Sequence, residues 1–302
     1  NYSFIHVCML DLAVIILNYN TRDLLRGCLT SLRDQTGLRF EACVVDNASP
    51  DDSADVVAAE FPEVRLIRSA VNGGYPAGNN QGLRAYGFPD TPQTRYAMLL
   101  NPDTLVPAGA LAHMVAFADA NPDVGVVGPK LLLMDGTLDK ACRRSFPTPE
   151  ISFYRLAGLS KLFPHSKRFG RYNMTYLGID EQADVDSVVG ACMLVRAGAI
   201  QKAGLLDEQF FMYGEDLDWC LRIKQAGYRA VYYPSVTVHH VKRAASRQSP
   251  KAQFEFQRAM WLFYQKHYRD TTPALVDSLV RAGLAWRGGP ALAAEMRGGS
   301  SE

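Results

Sequence analysis

The sequence predicts an α/β fold, a mostly parallel central sheet flanked by helices, and three observations carry that prediction. Apolar runs at residues 12–17, 40–45 and 97–100 have the length of strands buried on both faces. Segments with helical spacing separate the strand-like runs, as right-handed crossovers between parallel strands require. Each of the three runs stops abruptly at polar residues, Asn18-Tyr19-Asn20, Asp46-Asn47 and Asn101-Pro102-Asp103. The carboxyl edge of such a sheet is where ligands bind.

Taken in order, residues 12–17 (LAVIIL) read as a central strand. Residues 21–34 then carry Leu24, Leu25, Cys28, Leu29 and Leu32 on one helical face. Residues 40–45 form a second strand, 53–61 a second helix and 64–68 a third strand. A polar glycine-rich turn follows, NGGYPAGNNQG at 72–82. Its amides suit a phosphate, and a tight turn without a ligand explains Gly73 and Gly74 as well. A dinucleotide-binding sheet would place G-x-G-x-x-G after the first strand, yet NYNTRD contains no glycine.

The buried run 97–100 ends at NPD, where Asp103 either ligates Mg²⁺ or Mn²⁺ through oxygen or caps the next segment. Residues 111–120 read as a helix, and 124–127 and 130–134 as two short strands. Composition then shifts. Residues 143–175 interleave Arg143, Arg144, Arg155, Lys161, Lys167, Arg168 and Arg171 with aromatic side chains, and Pro147, Pro149 and Pro164 break regular structure. That mixture suits an anionic lipid surface or an ordinary surface excursion.

Residues 185–195 return to strand character and 199–203 begin a short helix. Gly214 then breaks the chain before Glu215, Asp216 and Asp218 crowd the first turn of a helix that Gly227 ends. The helix dipole accounts for three acids there without any function, and it would also keep Asp216 ionised, as a general base requires. In VYYPSVTVHH, strand alternation puts Val236, Val238 and His240 on one face and His239 on the other. Residues 254–268 and 274–286 read as helices, with a disordered tail from 298.

Composition excludes several classes. A chain of 302 residues with 48% apolar content can bury a substantial core. Net charge is +1, from 32 basic and 31 acidic side chains, so nothing points to nucleic acid as a partner. The six dispersed cysteines lack any C-x-x-C pair and read as buried thiols of a reducing compartment. No stretch reaches the ~18 to 20 apolar residues a membrane span needs. Residues 1–8 precede a Met-Leu-Asp that looks like a natural start, so 1–11 are set apart as an N-terminal extension.

Taken together and in order, NYN, VVDNAS, NPD, GEDLDWCLR and VHH resemble the inverting family 2 glycosyltransferases of the GT-A fold. The bacterial rhamnosyltransferase-like branch is the most similar. The resemblance spans about Leu12 to about Tyr268 and implies a nucleotide-binding half (12–135), an acceptor-binding half (136–268) and a C-terminal helical extension (269–302). By it, Asn18, Tyr19 and Asn20 would line the base and ribose, and Asp46 with Asn47 would hydrogen-bond a uracil or thymine. Gly73, Gly74 and Asn80 would shape the donor floor. Asp103 would bind a divalent metal (Mg²⁺ or Mn²⁺) on the donor diphosphate, with Asn101 standing where many relatives carry Asp. Asp216 would be the catalytic base, with Glu215 beside it orienting the acceptor or a loop. His240 would complete the metal site, although Val241 to Ser246 replace a glycine-containing turn of many relatives and leave its register open against His239.

The implied donor is a dTDP- or UDP-sugar, with dTDP-rhamnose favoured. The implied acceptor is a saccharide, free or linked to polyprenyl diphosphate, met in the cytoplasm or by peripheral contact with the inner face of the cell membrane. A sugar nucleotidylyltransferase would instead open with a glycine-rich phosphate loop and a following base. Residues 17–23 offer only Arg22. A non-catalytic saccharide-binding relative would have lost Asp103 or Asp216, and both are present.

Overall fold

A computed structural model of the chain describes residues 9–241 and 249–298. Residues 1–8, the segment 242–248 after the histidine pair and the last four residues lie outside them, and with them most of the expected extension at 1–11, its Cys8 and most of the tail; Leu10 and Asp11 of that extension already belong to the first strand. The first half alternates strictly: β1 (Leu10–Asn18), α1 (Arg22–Arg33), β2 (Phe40–Asp46), α2 (Ser53–Glu60), β3 (Arg65–Arg68), α3 (Gly74–Ala85) and β4 (Thr94–Leu100). The chain continues through β5 (Thr104–Leu105), α4 (Ala110–Ala120) and β6 (Val124–Leu133) into α5 (Pro149–Leu156) and α6 (Leu159–Leu162). It closes with β7 (Ala183–Val185), β8 (Cys192–Arg196), α7 (Ala197–Ala203), α8 (Glu215–Gln225), β9 (Arg229–His240), α9 (Pro250–His267) and α10 (Ala274–Gly298).

One sheet runs β3-β2-β1-β4-β8-β6-β9-β5, with β7 also pairing β9. Strands β3, β2, β1 and β4 are parallel; β8 inserts antiparallel between β4 and β6, and β6 runs parallel to β9. The centre is β1, whose Leu12 to Ile16 are fully buried. Each such aliphatic side chain contributes about 1.5–3 kcal/mol over its exposed state. The sheet is thus mostly parallel and flanked by helices, as its β-branched runs dictate.

Four local expectations are corrected. The glycine-rich segment is a helix, α3, because its glycines let it lie against β1: a Cβ at Gly78 would fall 2.2 Å from the Leu17 side chain. Residues 124–133 make one strand, which absorbs Pro129 through a register shift on β9. The expected strand at 185–195 is two, β7 and β8, separated by the turn that holds Gly190. Within the basic segment, Pro149 sits in the first turn of α5 and starts a helix, with Thr148 as its cap.

Candidate active site

The parallel order brings the carboxyl ends of β2, β1 and β4 side by side, with Asn18 paired to Asp46. Asn18 is fully buried; its amide donates to Asp46 Oδ1 at 3.0 Å and to the Ser49 hydroxyl at 3.1 Å. Ser49 N–H donates to the other Asp46 oxygen at 3.0 Å. Asn18 therefore orients Asp46, which borders a recess of about 270 Å³ shared with Ser49, Arg68 and Ser69. Tyr19 projects outward, 49% exposed, and Asn20 takes the left-handed backbone region.

Asn47 and Asn80 are buried ties. The Asn47 amide donates to Asn72 at 2.9 Å and to Gly74 O at 3.3 Å, and its oxygen accepts from Gly73 N–H at 3.2 Å, fixing the start of α3. Gly74 has φ +87°, and a Cβ there would meet Phe211 O at 2.3 Å, so only glycine fits. Asn80 exchanges hydrogen bonds with the Leu206 backbone and donates to Glu208, holding the loop that leads to α8.

Past β4, the Asn101 carbonyl accepts from Thr104 Oγ1 at 2.7 Å and turns the chain into β5. Strand β5 pairs antiparallel with the end of β9, Thr104 opposite His240. That pairing delivers His240 Nε2 to 3.2 Å from Asp103 Oδ1, while His239 is exposed. On its far side His240 Nδ1 lies 3.0 Å from Asp139 Oδ2. Burial disfavours the imidazolium, but the hydrogen bonds that its ring donates to the Asp103 and Asp139 carboxylates outweigh it and hold the His240 pKa above its ordinary value.

Two ligand atoms on adjacent corners of an octahedral ion sit about 3 Å apart. Asp103 and His240 fit that spacing, and Asp139 would keep the proton on Nδ1 and leave Nε2 free to coordinate. Among the described residues no cluster of three or more His, Cys, Asp or Glu side chains is arranged around one metal position. An ion held here would thus take its other ligands from phosphate and water.

Helix α8 carries the acids. Asp216 is buried; its Oδ2 accepts from Arg144 Nη2 at 2.7 Å and from Gly190 N–H at 3.3 Å. Gly190 O in turn accepts the Tyr75 hydroxyl at 2.9 Å, tying Asp216 to the start of α3. Glu215 is also buried, its Oε2 has no hydrogen-bond partner, and burial followed by the Asp216 charge pushes its pKa up to about 8. Asp218 points elsewhere, to Arg222, Lys266 and His267. Neighbouring acids on one turn thus meet different surroundings: Asp216 is held by a guanidinium and a backbone amide, while Glu215 keeps an oxygen without a partner.

The profile described as Glycosyl transferase family 2 matches residues 13–198, more than half of the chain. The chain belongs to that family. This glycosyltransferase is 27% identical over 282 residues to the N-acetylglucosaminyl-diphospho-decaprenol L-rhamnosyltransferase of Mycobacterium tuberculosis, covering 91% of each chain. It is 30% identical over 239 residues to a pre-mycofactocin glycosyltransferase of the same organism, covering 78% of this chain and 44% of that one. Among solved structures, the mannosyltransferase PcManGT from Pyrobaculum calidifontis, in complex with GDP-Man and Mn²⁺, superposes with a TM-score of 0.57 at 18% identity, covering 98% of this chain and 77% of that one. GalNAc-T7 with UDP, GalNAc and Mn²⁺ gives 0.59 at 15% identity over 92% and 55%. These likenesses give the transferase the GT-A fold.

Asp139, Arg144, Tyr75 and Gly190 escaped sequence reasoning as site residues. Arg144 and Asp139 lie far from their partners along the chain and are brought in only by the order of β8, β6 and β9. The strand phase that turned His240 inward was the one long-range signal available.

Proposed function

We propose that this glycosyltransferase moves L-rhamnose from dTDP-rhamnose to a saccharide carried on polyprenyl diphosphate, in cell-surface polysaccharide synthesis, by a single inverting displacement. The observation that carries the chemistry is a pair suited to a metal, Asp103 and His240, on the same side of the sheet as a carboxylate, Asp216, that Arg144 and a backbone amide hold in place. The rhamnosyltransferase matched over 91% of both chains supports the sugar and the lipid-linked acceptor.

Asp46, oriented by Asn18 and Ser49, would accept the imide N–H of the base, and Tyr19 would cover it. The amides at the start of α3 would approach the donor. A divalent ion held by Asp103 and His240 supplies charge neutralisation of the diphosphate leaving group when bound. Asp216 would remove the proton from the acceptor hydroxyl as that oxygen attacks the anomeric carbon and the bond to diphosphate breaks. Glu215, neutral at physiological pH, would donate a hydrogen bond to the acceptor. No covalent sugar–enzyme intermediate is needed. On this reading the reaction runs at the cytoplasmic face of the membrane, where a polyprenyl-linked acceptor would be met. Among the described residues no helix is long and apolar enough to cross a membrane.

A UDP-hexose donor is the second reading, because uracil and thymine share the imide that Asp46 would recognise. The test is a panel of nucleotide sugars with Mn²⁺ or Mg²⁺, reading nucleotide diphosphate release and thermal stabilisation. dTDP-rhamnose should give both, and EDTA or Asp103→Ala should abolish release. Release from UDP-hexoses alone would overturn the donor; release insensitive to EDTA and to Asp103→Ala would overturn the metal.

A further inference from the structure

The excursion between β6 and β7 is larger than the fold needs, and its outer side is chemically one-sided. Helix α5 buries Ile151 and Tyr154 and turns Phe153 and Leu156 outward; Leu162 and Phe163, at the end of α6, are outward as well. These four side chains are between 47% and 69% exposed. The exposed rings are tied together from beneath: Phe153 contacts the buried Tyr154, which packs edge-on against Phe169 at 4.9 Å, and Phe169 meets Phe163 at 5.6 Å. Exposed apolar surface gathered in this way marks an interaction site.

The charge around the patch names its occupant. Residues 149–171 contain Arg155, Lys161, Lys167, Arg168 and Arg171 against one acid, Glu150. Arg168 lies over the buried Tyr154 at 5.4 Å and Arg155 over the buried Tyr172 at 4.5 Å, so these exposed cations are seated on the rings beneath the apolar side chains. A membrane interface rewards that combination, with apolar side chains entering the headgroup boundary and cations meeting anionic lipid.

The root of the excursion is as informative as its tip. Ser145 N–H donates to Tyr172 O at 2.8 Å and closes the excursion on itself, and the adjacent Arg144 holds Asp216. The surface that would meet lipid is therefore anchored beside the proposed base. We infer that α5, α6 and the aromatic segment to Phe169 form a membrane-docking surface for anionic lipid that presents the lipid-linked acceptor to Asp216. The acceptor part of this inference rests on the proposed function; the docking part does not.

The full chain is to be sedimented with vesicles of phosphatidylcholine containing phosphatidylglycerol, and with phosphatidylcholine alone, at low and high salt. Binding should require the anionic lipid and fall with salt. Replacing Phe153, Leu156, Leu162 and Phe163 by Ser should weaken it at least tenfold, and Lys161→Gln with Lys167→Gln should weaken it at low salt. A Leu275→Ser, Leu279→Ser, Trp286→Ser variant, which removes the exposed apolar residues of α10, should bind like the parent, and circular dichroism checks that each variant is folded. The inference is overturned if the parent fails to bind anionic vesicles, if the α10 variant alone loses binding, or if light scattering shows the patch holding two copies of the chain together. Vesicle binding without any sugar transfer would sink the proposed function and leave the docking surface standing.

Discussion

At the scale of single residues, the site separates three acids that the sequence presents as one cluster. Asp216 is held by Arg144, Glu215 has an orphaned oxygen, and Asp218 faces another helix. If Asp216 is the base, Asp216→Asn should lower kcat by about 10² to 10⁴ with donor affinity nearly unchanged. Arg144 lies 2.7 Å from Asp216, and Glu215, Tyr75 and Cys220 are the other titratable groups around that carboxylate. Arg144→Gln should therefore move the acidic limb of kcat/KM to higher pH, and Arg144→Lys should restore part of the shift. A limb that stays in place while the rate falls would reduce Arg144 to a packing role. Glu215 gives a separate readout. With a folded pKa near 8 against 4.5 unfolded, the folded state binds the proton more tightly. Its stability contribution is complete below about 4.5 and is lost as pH rises through 8. The urea midpoint of Glu215→Gln should gain on the parent across that interval and level off above it; a gap independent of pH would contradict the buried neutral acid.

Among the elements, α8 and α9 meet at a buried charge. Asp218 is fully buried and accepts from His267 Nε2 at 2.7 Å, with Lys266 at 2.8 Å and Arg222 at 2.8 Å. Burial pushes its pKa up, but the His267 hydrogen bond and the Arg222 and Lys266 charges pull it down to about 2. This contribution is present above 3.8 and disappears as pH falls through 2, an order of about 2 kcal/mol. Removing the charge is costlier, because the fully buried carboxylate is the shared acceptor of three side chains: Asp218→Asn should lose about 3 kcal/mol in urea unfolding near neutral pH. A loss under about 1 kcal/mol would mean that α9 docks without this contact. In sequence, Asp218 was indistinguishable from an ordinary dipole-complementing acid, since its partners sit on a helix that enters much later. Strands β1 and β4, by contrast, are legible because burial on both faces leaves an apolar run at 12–17 and 97–100, and β2 because its run at 42–45 stops at Asp46. Helix α3 was misread as a turn because its glycines serve close packing on β1, a contact that local propensity does not encode.

For the whole molecule, the sheet order separates what was legible from what was not. Asp46 ends β2, Asp103 lies in the turn after β4 and Asp216 in the first turn of α8, so local pattern picked them out. The partners Asp139 and Arg144 arrive through the parallel pairing of β6 with β9 and through the bridge of Arg144 to Ser187, which no window of sequence reports. The excursion between β6 and β7 adds a consequence of its own. Its two ends are pinned to each other at Ser145 and Tyr172, Arg144 beside them holds Asp216, and Phe146 packs on Phe263 and beneath Lys224. Lengthening a loop with fixed ends costs only about 0.6 kcal/mol for each doubling. Insertions beyond Phe146, within residues 157–167, should therefore cost little in urea unfolding, whereas insertions in β1, β2 or β4 should unfold the chain. What the excursion touches can change in length and chemistry while the sheet keeps its register.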